Sequence, residues 1–493
     1  MGSQTIFQNN FGNFLPEIFL ASSILVILMY GCFLVFLASS YFSTLTSSSS
    51  RLSLVILVIS FFICINDTVS CDTLWNSNFI SDHIGRNSKI IVLLGMIVCV
   101  LISKYYLSLA RIHFYEVFVF FLGVSLALCL LISSYSLLSI YLSMELLSLI
   151  FYVLASIKKN SGFSAEAGLK YFILGSLASI FFLFGCSLIY FGSGTIELGS
   201  LTLLWEDNLI QCPISCLGLI CVGSALLFKI GAAPFHLWVV DVYEGSPSLI
   251  SFLFAVVPKL SVITVLMRLS IGSSLSFYNN VWELLFCLCG VLSLFVGCFG
   301  GLGETKIKRL LGFSSIGHIG FICFGLVLGS LEGSQAIFFY MIIYMITGVF
   351  LWSFVMHLSP TKKKWLTLVD SVALVRSNPV LGIFTALMLF SMAGIPPMGG
   401  FFAKLNIFFA LISCSFYLGV IFAVLTSAVS AFYYLRLIKI LYFEKNECWK
   451  SFPIIQKSEA LLFSFSGLLI VFFCLNPNMF FLFSYKMSLG LFC

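Results

Sequence analysis

The chain has 493 residues, 60% hydrophobic and only 9% charged, with a net charge of +6 and a mean hydropathy of +1.12. Soluble domains carry about 25% charged residues, so a soluble enzyme is excluded and an all-α polytopic membrane protein is expected. None of the 17 cysteines falls at CxxC spacing; the nearest pair, Cys287 and Cys289, sits in an apolar run as two small hydrophobes, and no metal site is expected.

An apolar run of about 20 residues crosses the hydrocarbon layer as a helix. In chain order, fourteen spans are predicted: 15–38, 52–66, 89–107, 117–133, 135–155, 169–191, 214–240, 248–270, 282–301, 309–328, 333–357, 380–412, 416–441 and 459–476. The connectors are brief, so residues 1–493 read as a single membrane domain. The basic residues test this count. Loops after odd-numbered spans hold eighteen of the 25 Lys and Arg, including Arg51, Arg111, Lys158, Lys159, Lys306, Lys362, Lys363, Lys364, Arg436, Lys445 and Lys450. Loops after even-numbered spans hold only Arg86, Lys89 and Arg268. Positive charge marks the side from which insertion occurs, so both termini face the other side.

Apart from Lys486 near the C-terminus, three lysines remain, all inside predicted spans: Lys229, Lys259 and Lys404. An ionisable side chain at mid-bilayer costs about 2.5–3.5 kcal/mol on insertion scales. Three would together cost roughly 7–10 kcal/mol unless paired, hydrated or neutral. Burial disfavours the charged ammonium, which lets a lysine exchange protons near neutrality as a surface lysine cannot. A structural alternative is that such a lysine snorkels to the interface or pairs with a carbonyl.

One acidic residue, Glu145, sits at mid-span in "YSLLSIYLSMELLSLIFYVLAS". Tyr141, Glu145, Ser148 and Tyr152 follow at steps of four, three and four, which places them on one helical face. That stripe is expected to face the bundle or a wet cavity. Each intramembrane lysine also lies near a helix breaker: Pro234 follows Lys229, Pro258 precedes Lys259, and Pro396–Pro397 precede Lys404. Loosened backbone at membrane depth is tolerated only where protein or a water-filled cavity satisfies it, and interrupted helices in corresponding positions of two halves mark transporters built from inverted repeats. His318, in "LLGFSSIGHIGF", lies one turn from Ser314 and reads as a structural histidine or a proton carrier. His236 plays either part. Asp241 and Glu244 are expected at the basic-side mouth of span 7, as functional groups or as caps of the next helix. The Gly325–Gly329 pair reads as a helix-packing surface. No P-loop, dinucleotide fingerprint or iron–sulfur cysteine array appears, so uphill proton movement needs energy from a partner or from another ion gradient.

The stretches "KYFILGSLAS", "FKIGAAPFHLWVVDVYEGSP", "KRLLGFSSIGHIGF" and "AGIPPMGGFFAKL" resemble the antiporter-like membrane subunits of respiratory complex I. They are most similar to the subunit 2 type in its long, fourteen-span mitochondrial form, over about span 3 to span 13. The resemblance implies two inverted five-helix repeats, spans 4–8 and 9–13, with interrupted helices 7 and 12. It divides the chain into an N-terminal three-helix segment (1–116), repeats at 117–270 and 282–441, and a C-terminal helix and tail (442–493). It implies a midplane proton relay through Glu145, Lys229, Lys259, His318 and Lys404, with His236, Asp241 and Glu244 in secondary roles. A lysine at 404 fits subunit 2, since the subunit 4 type places a glutamate there. Val240 departs from the pattern, which usually has proline at that position. The family further implies the mitochondrial inner membrane with basic loops facing the matrix. NADH, FMN, iron–sulfur clusters and ubiquinone are expected in partner subunits, with none bound by this chain. Neighbouring antiporter-like subunits and the lipid bilayer, cardiolipin included, are the expected partners, and no nucleic acid is. The alternatives are a cation/proton antiporter subunit, or a non-pumping structural subunit near a quinone site.

Overall fold

The computed structural model describes residues 11–37, 42–67, 72–110, 112, 114–206, 213–272, 279–358, 367–444 and 455–492. Of the basic loop residues, Arg111, Lys362, Lys363, Lys364, Lys445 and Lys450 lie outside these.

The described residues form nineteen α-helices, one 3-10 turn and one short antiparallel hairpin. Twelve helices are long and apolar enough to cross a membrane, and two shorter apolar helices, Pro379–Ala393 and Gly399–Ser413, flank a break. With that broken pair and the bent pair at Lys457–Phe473 and Asn478–Leu491 each counted as one span, the number is the fourteen read from the sequence.

The chain divides into two compact units. The first comprises Met1–Leu226 and Val257–Val281. It begins with α1 (Leu15–Leu37) and α2 (Phe42–Asn66), then β1 (Thr73–Leu74) and β2 (Phe79–Ile80), paired with Thr73 opposite Ile80. α3 (His83–Leu109), α4 (Glu116–Ser133), α5 (Leu137–Ala155), α6 (Gly162–Ser193) and α7 (Leu198–Glu206) follow. Ser136 caps α5 with a reciprocal Ser139 bond, which satisfies N–H groups a helix start otherwise orphans. α2 and α3 are longer than their predicted spans, because Ser-rich and charged turns extend each helix beyond the apolar run. Arg86 and Lys89, counted above as loop residues, therefore lie inside α3, and Lys89 forms a buried ion pair with Glu17 at 2.5 Å. Arg268 is likewise not a loop residue. It makes two bonds to Asp82, at 2.8 and 2.7 Å, and also donates to the carbonyls of Ile132 and Ser134.

α8 (Pro213–Ile230) ends in the second unit, Leu227–Val256 with Trp282–Phe492, which also holds α9 (Leu237–Gly245). α10 (Ser248–Gly272) is fully buried and runs unbroken through Pro258, so the expected disruption beside Lys259 is absent. A proline removes one helical donor, but neighbouring packing and side chains re-satisfy the backbone in buried helices. The second unit continues with α11 (Asn279–Leu302), α12 (Ile307–Val327), α13 (Leu331–Leu358), α14 (Val372–Ser377), α15 (Pro379–Ala393), α16 (Gly399–Ser413), α17 (Tyr417–Phe443), α18 (Lys457–Leu475) and α19 (Asn478–Phe492). The last was expected as a tail. Gly325 packs against Ile337 on α13, whereas Gly329 lies past the end of α12 at φ +56°. The expected glycine pair is thus one packing contact and one turn.

Candidate functional site

Two backbone breaks organise the second unit, and they follow the same pattern. At the first, Gly231 (φ +81°) and Ala232 both donate to the Leu227 carbonyl at 3.0 Å, and Pro234 follows. At the second, Gly394 (φ +85°) and Ile395 donate to the Phe390 carbonyl at 3.0 and 3.1 Å, and Pro397 follows. A left-handed glycine that closes a helix in this way is the common helix C-terminus, and here it sits in the middle of an apolar segment. In both breaks the X–Pro bond is cis. Aligned on the glycines, Lys229 of the first break corresponds to Met392 of the second, and Asp241 corresponds to Lys404.

At the first break Lys229 lies in the last turn of α8 and is half-buried, and half-buried His236 opens α9. The Trp238 indole reaches back from α9 and donates to the Phe228 carbonyl at 3.0 Å. Asp241 and Glu244 follow on α9, with Val240 buried between the turns. Glu244 bridges Lys306 and Arg309, the latter at 3.2 Å, and Arg309 also binds Glu304 at 3.0 Å. Glu244 is therefore part of an ion network among the basic groups.

At the second break Lys404, buried on α16, folds back across the gap. Its Nζ donates to the carbonyls of Met392 at 3.2 Å and Ala393 at 2.9 Å, and lies 5.3 Å from the Phe321 ring centroid. These carbonyls end α15, where helix geometry leaves acceptors without intrahelical donors and the macrodipole is negative. A neutral amine keeps two N–H groups, so both bonds survive deprotonation and the third position alternates between N–H and lone pair.

His318 lies buried in the middle of α12. Its Nδ1 is 2.5 Å from the Tyr340 hydroxyl and its Nε2 3.2 Å from that of Tyr434. His318 and Lys404 both line two cavities. One also meets Tyr340, Tyr344, Thr347 and Ser391, with Ile343, Met392 and Ala403 as its apolar wall. The other meets Ser314, Thr426, Ser430, Tyr433 and Tyr434, with Leu294 and Phe321. Each is a small gap of about the size of one water, in which these hydroxyls are the polar partners.

In the first unit Glu145 is half-buried on α5 and accepts from Ser148 at 3.3 Å. Its polar face packs against α6: Tyr141 stacks on Phe182, and Tyr152 meets Tyr171 and Phe172 edge-on. Lys259 lies on α10, 2% exposed. Just past α2, burial pushes the Asp67 carboxyl up to about 6, with Lys89 and Arg86 opposing the rise and Glu17 adding to it. Of the sequence candidates, the structure brings His318 and Lys404 to shared cavities and Lys229 with His236 to one break, while Glu145 and Lys259 occupy separate helices.

A family described as NADH:quinone oxidoreductase/Mrp antiporter, TM, matches residues 134–430, which contain both breaks and all five relay candidates. The chain belongs to this family. NADH-ubiquinone oxidoreductase chain 2 of Marchantia polymorpha is 35% identical over 99% of this chain and 100% of its own. A chain of respiratory complex I from Thermus thermophilus with bound aureothin superposes with a TM-score of 0.79 at 27% identity, covering 94% of this chain and 98% of that one. A chain of the Mrp complex from Dietzia shares the fold, with a TM-score of 0.80 at 17% identity over 98% of each chain.

For a member of this family, the residues that sequence reasoning missed are tyrosines. Tyr340, Tyr344 and Tyr434 surround His318. The signal was present in "YMIIYMITG" and "AFYYLRL", since a tyrosine inside an apolar helix needs a partner for its hydroxyl.

Proposed function

We propose that this chain is the antiporter-like, proton-translocating membrane subunit of an NADH:ubiquinone oxidoreductase, and that it moves protons through Glu145, Lys229, Lys259, His318 and Lys404. Membership of that enzyme complex rests on relatives that match nearly the full chain. The relay rests on one observation above the others: a buried lysine, held at a helix break by two carbonyls, lines two small cavities together with a buried histidine. A group so held exchanges a proton without losing its place.

Quinone reduction in partner subunits supplies the energy by changing the local field. Glu145 and Lys229 reorganise, a proton passes toward Lys259, His318 and Lys404, and it is released on the face opposite the basic loops. Bound water bridges the gaps between side chains. His236 and Asp241 serve the first break, and Glu244 anchors its mouth. NADH, FMN, iron–sulfur clusters and ubiquinone belong to partner subunits. The chain lies in the mitochondrial inner membrane with its basic loops toward the matrix, among other antiporter-like subunits and lipid, cardiolipin included. Residues 117–270 and 282–441 act as its two repeats, after the segment 1–116 and before 442–493; the matching breaks around Gly231 and Gly394 support this division.

The test is Lys229→Ala in the assembled complex, with NADH oxidation and proton pumping followed in sealed vesicles. Pumping and coupled turnover falling together, with assembly normal, is the expected result. Wild-type behaviour of both would make the lysine structural and end the relay reading. Sodium- or potassium-dependent exchange without NADH or quinone would favour the cation/proton antiporter that the Mrp-like fold allows.

A further inference from the structure

Resting on the relay reading of Lys404, we propose that Phe321 is a positioning residue of the second break: its ring face seats the charged form of Lys404, beside the tyrosine that meets His318. The Lys404 nitrogen lies 5.3 Å from the Phe321 ring centroid. Both side chains are buried. Phe321 follows His318 by three residues on α12, which puts the two on one side of that helix, and both line one small cavity with Lys404.

A buried ammonium is costly unless charges or hydrogen bonds compensate it. Among the described residues that line the two cavities beside Lys404, none is Asp or Glu. Its contacts are electron-rich but uncharged: the Met392 and Ala393 carbonyls at 3.2 and 2.9 Å, and the Phe321 ring. These do different work. A carbonyl accepts an N–H from an amine as well as from an ammonium, so that pair holds the side chain in either state. A ring face attracts a cation within about 6 Å of its centroid, most strongly where water is excluded, and a neutral amine offers it no charge to attract. The carbonyls fix where Lys404 sits, and Phe321 favours the state in which it carries a proton.

The ring is itself held in place. Tyr340 of α13 stacks on it at 6.0 Å with 28° between the planes, and Phe408 of α16 tilts against it at 6.2 Å. The Tyr340 hydroxyl lies 2.5 Å from His318 Nδ1. One aromatic pair therefore stands between the two titratable groups: its phenylalanine faces Lys404 and its tyrosine meets His318. A packing role alone asks only for apolar bulk at position 321, whereas seating a cation asks for a π face.

The experiment compares Phe321→Leu, Phe321→Tyr and Lys404→Met in the assembled complex in sealed vesicles, by protons pumped per NADH oxidised and by the thermal stability of the solubilised complex. Leucine keeps apolar bulk and removes the π face; tyrosine keeps the face. Phe321→Leu is expected to lower pumping per NADH several-fold, up to about thirtyfold where the whole attraction of a desolvated site is lost. Phe321→Tyr is expected to retain it, whichever of the two is the less stable. Should either fail to assemble, Phe321→Met replaces the first and Phe321→Trp the second, with the same contrast. Equal pumping in the two variants at position 321, high or low, with Lys404→Met impaired, overturns the seat and leaves the relay standing. Wild-type pumping in Lys404→Met overturns both.

Discussion

The two breaks share a backbone device and differ in what reaches across it. At the Gly231 break the group that returns to the helix end is an indole, Trp238 on Phe228; at the Gly394 break it is an ammonium, Lys404 on Met392 and Ala393. An indole N–H is a donor at every pH of interest, so the first helix end is satisfied without involving Lys229. The second helix end is satisfied by the titratable group itself. The same fold element thus is closed by an indole in one place and by a titratable lysine in the other. The difference comes from one lysine placed on opposite sides of the break: ahead of it at 229, after it at 404.

The largest effect should follow from breaking the second seat. Lys404→Met leaves two buried carbonyls without their donor, at a cost of about 1–3 kcal/mol for each group left unsatisfied, and removes the proposed proton carrier. Proton pumping per NADH oxidised should be lost in whatever complex still assembles, as read in sealed vesicles. Next, Trp238→Phe strips the first break of its donor at a similar stability cost of about 1–3 kcal/mol, while the assembled complex should pump nearly as before. Heat-induced loss of the detergent-solubilised complex, set against pumping, separates the two variants; equal loss of pumping in both would erase the contrast.

The glycines sharpen it further. Alanine at either position pays about 1–2 kcal/mol for left-handed backbone. At Gly394 its Cβ would also lie 3.0 Å from Lys404 Cδ and 3.1 Å from Nζ, whereas at Gly231 it would collide with Val239 Cγ2. Gly231→Ala should therefore cost more stability, while Gly394→Ala should depress pumping more in the complex that assembles. The smallest effect is expected for Glu244→Gln. Its partners Lys306 and Arg309 are about one-third exposed, and such pairs contribute about 0.2–1 kcal/mol. A slight loss of thermal stability, diminishing as salt is added, should accompany near-normal pumping.

Where expectation and structure diverged, the cause is local. Pro258 was read as a disruption because proline removes a helical donor, yet α10 is buried along its whole length and continues through it. Lys89 and Arg268 were counted with the loops because they flank apolar runs, while their partners Glu17 and Asp82 lie far away in sequence. Such pairings leave no periodic trace in the chain.

The sequence by itself determined that this protein lives in a bilayer, and that Lys229, Lys259 and Lys404 lie in its apolar helices. These follow from the cost of polar atoms in hydrocarbon, which acts on each segment separately. It also pointed to both breaks through Pro234 and Pro396–Pro397, because proline acts on its own backbone, although Pro258 carries the same signal and lies inside a continuous helix. Only the tertiary structure decided that Lys404 holds the end of α15, that His318 lies between Tyr340 and Tyr434, and that Glu244 is tied into the basic network. Those relations join residues up to 116 positions apart, and they depend on which helix faces pack together, a property of the whole bundle that no single segment encodes.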